Sequence, residues 1–186
     1  MIEFKHVTCT YGEKTPIRDI TLALPDAGVI GVFGASGSGK TTLLRLLAGH
    51  IRPASGTVTG LAGKRVSMVF QEDRLLPWRT ALENVALVRE GSEAEARALL
   101  SALGLASEAD QLPAALSGGM QRRVALARAL NFGGDVLLLD EPFKGLDAAL
   151  CMEAIAMVRG RFPLTVIATH DRAEAEALGM TGEIAL

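Results

Sequence analysis

The segment GASGSGKTT, residues 34–42, combines residue types that bind phosphate groups. It fits the pattern G-x-x-x-x-G-K-[ST], in which glycines let backbone N–H groups turn toward phosphate oxygens and a following helix N-terminus adds positive potential. The pattern predicts that Lys40 reaches the outer phosphates of a nucleotide and that Thr41 binds Mg²⁺. The predicted phosphate-binding residues are Gly34, Ala35, Ser36, Gly37, Ser38, Gly39, Lys40, Thr41 and Thr42.

The segment DVLLLDEP, residues 135–142, places two carboxylates at the end of an apolar run. Such a run is typical of a buried strand, and α/β sheets bind ligands at the carboxyl ends of their strands. We expect Asp140 to hold Mg²⁺ through water, and Glu141 to polarise an attacking water molecule. The alternative is that both are solvated acids at a strand end, which the phosphate-binding segment disfavours.

Three single residues stand where they can join this chemistry. Gln71 ends the strand pattern VSMVFQ and is a candidate ligand of Mg²⁺ or of the attacking water. His170 ends the pattern LTVIATH and is a candidate contact to the terminal phosphate, and Tyr11 is a candidate for stacking on adenine. Taken alone, each fits an ordinary structural role: a capping amide, a histidine whose ring nitrogens are hydrogen-bonded within the fold, and a half-buried aromatic.

The segment LSGGMQRRVALARAL, residues 116–130, begins a second helix with a serine and two glycines and contains three arginines but no lysine. Ser117, Gly118 and Gly119 fit an N-cap followed by flexible glycines. The same helix start also suits an anion, because its free N–H groups and its dipole both favour negative charge.

The elements that must position these residues follow an α/β pattern. Short strand patterns near the N-terminus precede the apolar run VIGVF, and from residue 117 onward helices alternate with apolar strands. Residues 76–116 have helical spacing without a strand. The predicted fold is a P-loop NTPase core with a mostly parallel sheet, an N-terminal antiparallel β subdomain and an inserted helical subdomain. We expect one domain, 1–186, whose core is 1–75 with 117–186 and whose helical subdomain is 76–116.

The composition excludes several classes of protein. Nineteen Lys and Arg against twenty-one Asp and Glu give a net charge of −2, which does not suit a nucleic-acid binder or a polybasic membrane anchor. Cys9 and Cys151 form no metal-binding pattern and no disulfide framework, so a reducing, cytoplasmic setting is expected. No apolar run approaches the roughly 18 residues of a membrane-spanning helix, and no signal peptide is recognisable.

Taken together, the motifs resemble the ATP-binding subunits of ATP-binding cassette (ABC) transporters, in the family's order and over nearly the whole chain. The matching residues are Tyr11, the phosphate loop 34–42, Gln71, the signature LSGGM, the VLLLDE strand, Asp147 in GLD, and His170.

The resemblance implies a role for each matched residue. Glu141 is the general base, His170 senses the γ-phosphate, and Gln71 links the ATP site to the helical subdomain. Ser117, Gly118 and Gly119 cap the γ-phosphate of ATP held by another copy, so two chains sandwich two ATP molecules head to tail, and Asp147 is a further nucleotide-binding residue. The implied cofactors are ATP and Mg²⁺.

The family also implies partners and a location. A separate ATP-binding chain is expected to join transmembrane permease subunits, to serve indirectly an extracytoplasmic solute-binding protein, and to lie peripherally at the cytoplasmic face of the inner membrane. VFQEDRLLPWRTALENV, residues 69–85, and the methionine of LSGGM resemble the branch that imports nitrate, sulfonates or taurine. In that branch Trp78 lies near the permease; the alternative is that Trp78 and its apolar neighbours are plain core.

Two other functions share part of this pattern. A P-loop kinase accounts for GASGSGKT but not for the signature or His170, and a soluble ABC ATPase of DNA repair or translation usually has a long coiled-coil insertion or paired cassettes. The chain also departs from the transporter pattern: Lys40 and Gln71 are unusually close in sequence, and Thr181-Gly182 replaces a common Asp-Arg.

Overall fold

A computed structural model describes the whole chain, Met1–Leu186, and contains a five-stranded and a three-stranded sheet. The strands are β1 (Ile2–Tyr11), β2 (Lys14–Leu24), β3 (Gly28–Phe33), β4 (Ser55–Thr59), β5 (Val66–Val69), β6 (Val136–Asp140), β7 (Leu164–Ala168) and β8 (Gly182–Ala185). The helices are α1 (Lys40–Leu47), α2 (Ala81–Ala86), α3 (Glu93–Ala102), α4 (Gly118–Phe132), α5 (Ala148–Val158) and α6 (Arg172–Leu178), with a 3₁₀ turn at Pro113–Ala115.

The larger sheet has the strand order β5-β6-β7-β3-β8, and every neighbouring pair is parallel. Two of its three inner strands, β6 and β7, are buried along their whole length, as expected for mostly apolar strands covered on both faces. Because the strands are parallel, their carboxyl ends meet at one edge, where Asp140 pairs in register with Ala168. The sheet therefore gathers the ends of β3, β5, β6 and β7 at one edge.

The smaller sheet has the order β2-β1-β4, and both of its pairs are antiparallel. Phe4 and Ile17 from this sheet are buried in the same hydrophobic cluster as Leu43 and Leu47 of α1. The apolar face of α1 thus packs between the two sheets, and the predicted fold class is confirmed.

The helices between residues 76 and 116 pack on α4. Val85 of α2 and Leu100 of α3 belong to a cluster of 26 buried residues that also contains Val124 of α4 and Leu137 of β6. Since one apolar cluster runs through both parts, the division into a core and a helical subdomain stays a prediction. The longest helix, α4, has 15 residues, and none of the helices has the length and apolar character needed to span a bilayer.

Candidate nucleotide-binding site

The predicted phosphate loop connects β3 to α1. Gly39 caps α1 in a left-handed conformation (φ 108°), and a Cβ atom there would lie 2.5 Å from the carbonyl oxygen of Pro16. Only glycine therefore fits at this position. Inside the loop, the Lys40 ammonium group donates hydrogen bonds to the carbonyl oxygens of Gly34 (2.7 Å) and Ala35 (3.0 Å). The loop thus holds a buried cation beside the free N–H groups of a helix N-terminus, which is the arrangement that binds phosphate.

Asp140 ends β6 as a buried carboxylate that lacks an ionic partner. It is 3% exposed, its Oδ2 atom accepts no hydrogen bond, and it forms no ion pair. Burial raises the pKa of Asp140, and a hydrogen bond from Thr41 and the nearby cations Arg45 and Lys40 only partly oppose this rise. A buried charge in this situation needs a cation to compensate it.

The donor set fits Mg²⁺ bound together with a nucleotide. The structure contains no cluster of three or more His, Cys, Asp or Glu side chains able to hold a metal by themselves. Mg²⁺ usually takes one or two protein oxygens and completes its shell with phosphates and water. The hydroxyl of Thr41 and the orphaned Oδ2 of Asp140 supply oxygens of this kind.

Glu141 leaves the strand in a strained backbone conformation. Its φ is 50°, a left-handed value that costs a non-glycine residue roughly 1–2 kcal/mol. Its N–H group donates to the carbonyl oxygen of Ala168 (2.8 Å). Its Oε1 atom is buried and lies 3.1 Å from Nε2 of His170, but without the alignment of a hydrogen bond. In this conformation the carboxylate that follows the strand lies beside His170.

These residues line one cleft of about 530 Å³. The predicted residues that line it are Tyr11, Ser36, Gly37, Gly39, Lys40, Thr41, Thr42, Gln71, Asp140, Glu141 and His170. Gly34 and Ala35 act behind it through the carbonyls that hold Lys40. The cleft also includes Lys14, Thr15 and Pro16 at the start of β2, which sequence reasoning missed. A β-hairpin brings them there, and no local motif marks them.

The signature residues and Asp147 lie outside this cleft. Ser117 caps α4 and accepts a hydrogen bond from the N–H of Met120 (3.3 Å), and Asp147 caps α5 and accepts from the N–H of Leu150 (2.9 Å). A Cβ atom on Gly119 would lie 3.5 Å from the carbonyl oxygen of Gly145, so the two helix starts are neighbours. Within this chain the two caps are local, so the action of the signature on another copy's ATP and the binding of nucleotide by Asp147 stay predictions.

The interpretation of Trp78 as core is wrong. Its side chain is 69% exposed, because it lies at the tip of the turn between β5 and α2. Asn84, which is fully buried, holds this turn: its Oδ1 accepts from the N–H of Leu76 (2.7 Å) and its Nδ2 donates to the carbonyls of Leu76, Arg79 and Thr80 (3.0–3.1 Å).

Comparison with known proteins agrees with this geometry. The sequence profile of the ABC transporter family matches residues 17–144. The aliphatic sulfonates import ATP-binding protein SsuB 2 of Pseudomonas aeruginosa (strain UCBPP-PA14) is 41% identical over 188 residues, which is 95% of this chain and 69% of the relative. SsuB 1 of Rhodococcus jostii is 44% identical over 176 residues, 90% of this chain and 72% of the relative.

Solved structures give the same result for the fold. The ATP-binding cassette MJ0796, in a dimeric post-hydrolysis state bound to ADP and phosphate, superposes with a TM-score of 0.82 and 30% identity over 95% of this chain and 91% of that one. A second dimeric structure of MJ0796, a bacterial ABC transporter cassette, gives the same TM-score at 31% identity. With this family match, these relatives and a cleft built for a nucleotide, the chain belongs to the ABC transporter family and is one of its ATP-binding, ATP-hydrolysing subunits.

Proposed function

We propose that this chain drives an importer of an organic sulfonate or a similar small anion by hydrolysing ATP in the cleft described above. The observation that carries the proposal is the convergence of Lys40, Asp140 and Glu141 in one cleft. A phosphate-binding cation, a carboxylate in need of a metal, and a second carboxylate free to act on water are the parts that phosphoryl transfer to water requires.

In this proposal Thr41, Asp140 and Gln71 would hold Mg²⁺. A bound ion would supply positive charge that neutralises the phosphates of ATP. Two features of the chain support this assignment: the buried Oδ2 atom of Asp140 lacks a partner, and Thr41 lies beside the same carboxylate.

Among the remaining cleft residues, some bind ATP and others activate the attacking water. Lys40 moves from the carbonyls of Gly34 and Ala35 to the phosphates, and the loop N–H groups bind the phosphate oxygens. Glu141 accepts a proton from the attacking water, and His170, 3.1 Å from its Oε1 atom, contacts the γ-phosphate. Tyr11, which is 43% exposed at the cleft margin, stacks on adenine.

The active form in this proposal is a head-to-tail pair of chains. Ser117, Gly118, Gly119 and Asp147 of one chain complete the site of the other, since they lie outside their own cleft. The dimeric state of MJ0796 supports a dimer of this kind.

The proposals for a permease partner and for the transported solute rest on the names of the relatives. The SsuB proteins are named as ATP-binding proteins of aliphatic sulfonate import, at 41–44% identity. We propose that this chain binds permease subunits at the cytoplasmic face of the membrane, and that an extracytoplasmic binding protein selects a sulfonate, taurine or nitrate. The exposed Trp78 turn is the proposed contact with the permease.

The test of the hydrolytic function is Glu141→Gln. Loss of the general base should lower kcat for ATP hydrolysis by about a hundredfold or more while ATP still binds. Phosphate release and equilibrium ATP binding of the purified chain measure the two effects. Glu153→Gln, an exposed glutamate on α5, is the matched control and should hydrolyse ATP like the wild type. Undiminished turnover by Glu141→Gln would exclude Glu141 as the base.

A further inference from the structure

Two of the three arginines of α4 are buried, and the third, Arg128, is partly buried. Arg122 and Arg123 are only 7% and 8% exposed. Burying a guanidinium group is costly unless its donors are satisfied, so the partners of these arginines identify what α4 holds in place.

Arg122 grips the backbone on both sides of the Gln71 Cα atom. Its Nη1 donates to the carbonyl oxygen of Phe70 (2.6 Å) and its Nη2 donates to the carbonyl oxygen of Gln71 (2.5 Å). The Oδ1 atom of Asp73 lies 3.1 Å from Nη1 and forms an ion pair with it, but without the alignment of a hydrogen bond. A planar fork that meets two carbonyls fixes their direction as well as their distance.

Arg128, almost two turns further along α4, binds the next part of the same backbone segment. Its Nη2 donates to the carbonyl oxygen of Asp73 (2.8 Å) and its Nη1 donates to that of Arg74 (2.9 Å). None of the backbone hydrogen bonds outside helices and strands involves residues 70–75. The hydrogen bonds that hold residues 70–75 therefore come from arginine side chains of α4, whereas the strands of the sheet are held by backbone hydrogen bonds.

Arg123 points the other way. Its Nη1 donates to the carbonyl oxygen of Leu103 (2.6 Å) at the end of α3. Neighbouring arginines of equal burial thus connect α4 to two different parts of the chain, and only Arg122 contacts a segment that lines the nucleotide cleft.

We propose that Arg122 is a positioning residue for Gln71, so that the place of α4 sets the place of the Gln71 side chain in the cleft. Asp73 supports Arg122 through the ion pair, and through Arg122 the helix that begins at Ser117 connects the surface offered to another copy with a cleft residue of its own chain. The inference rests on the proposed role of Gln71 in hydrolysis.

The test is a double-mutant cycle between Arg122→Gln and Gln71→Ala, with Arg123→Gln as the matched control. Arg122→Gln should lower kcat about tenfold, because small misplacements of a site residue have effects of that order or larger, while ATP affinity measured without Mg²⁺ changes less than about twofold. In the Gln71→Ala background the same substitution should lower kcat less than about twofold further, since the two changes remove one function.

Arg122→Lys and the control separate positioning from mere stability. Lysine keeps the charge beside Asp73 but lacks the fork, so Arg122→Lys should recover only part of the lost kcat. Arg123→Gln should lower the Tm as Arg122→Gln does, but have the same effect on kcat with and without Gln71.

Three results would overturn the inference: wild-type kcat for folded Arg122→Gln, an equal loss of kcat in both backgrounds, or full rescue by lysine. If Arg122→Gln does not fold, Asp73→Asn decides by the same cycle, with about a threefold loss of kcat expected that disappears in the Gln71→Ala background. Failure of the proposed function would look different, because it would appear as full turnover by Glu141→Gln.

Discussion

At the scale of single residues, Asp140 lowers the stability of the unliganded fold while serving the chemistry of the site. A carboxylate that is 3% exposed, with a free Oδ2 atom and no ion pair, destabilises the fold when no cation is bound. Functional sites commonly retain such unfavourable groups because ligand binding requires them. The Asp140 carboxylate should therefore lower the stability of the unliganded chain and strengthen ligand binding.

We predict that Asp140→Asn stabilises the chain in the absence of Mg²⁺ and nucleotide. Removing the buried charge should raise the Tm in EDTA by about 2–6 °C, since roughly 1 kcal/mol shifts the Tm of a domain of this size by about 2–4 °C. MgATP should then raise the Tm of the variant less than that of the wild type. Differential scanning calorimetry measures both, and Asp110→Asn, on an exposed side chain, should change neither. A lower Tm of Asp140→Asn in EDTA would contradict the prediction.

The candidate site was predictable from sequence as far as its chemistry depends on local spacing. Short sequence motifs identify the loop glycines, Lys40 and the carboxylates that follow an apolar run. In the structure these residues meet in one cleft. The grip of Arg122 on the Gln71 segment joins residues about fifty positions apart, so helical spacing alone does not reveal it.

At the scale of elements, the turn between β5 and α2 depends on one buried amide. The Asn84 side chain makes four hydrogen bonds to the backbone of residues 76–80. Because its polarity suits an exposed helix position as well, its fully buried place was not predictable. The same holds for Trp78, whose apolar neighbours suggest burial although the turn projects it outward.

We predict that Asn84→Ala lowers the free energy of unfolding by about 2–4 kcal/mol, since each buried polar group left without a partner costs roughly 1–3 kcal/mol. Urea denaturation measures this change. Glu153→Ala, at an exposed helical position, is the control and should stay within about 0.5 kcal/mol of the wild type. A loss below about 1 kcal/mol for Asn84→Ala would mean that water replaces the amide in this turn.

The order of strands and helices was predictable because each depends on a local period. The mostly apolar β6 and β7 indicate a sheet covered on both faces, and the leucines of α1 indicate a helix packed on one side. The antiparallel pairing of β1 with β2 brings Lys14 and Pro16 to the cleft, and this placement needs the folded hairpin.

At the scale of the whole molecule, the separation of the signature from the cleft fits the proposal that one chain holds two incomplete halves of different sites. Ser117 and Asp147 cap helices outside their own cleft, while Lys40 and Glu141 lie inside it. In that proposal, two chains in head-to-tail order would supply both halves twice, which would close the pair by symmetry.

We predict that Glu141→Gln forms a dimer with ATP and is a monomer without nucleotide, as measured by light scattering. Adding Ser117→Arg should abolish this dimer, because a bulky cation then occupies the place of the partner's γ-phosphate, while ATP binding to each chain persists. Ser107→Arg, the same change at an exposed serine, is the control and should leave the dimer intact. A dimer that survives Ser117→Arg would argue against the head-to-tail arrangement.

The exposed Trp78 turn also makes the chain its own optical probe. Trp78 is the only tryptophan in the sequence and does not line the nucleotide cleft. Its fluorescence should therefore have the long emission wavelength of an indole ring in water, and ATP should leave that wavelength unchanged. An apolar partner that covers the turn should shift the emission to shorter wavelengths, so permease binding and nucleotide binding can be followed separately without attaching a dye.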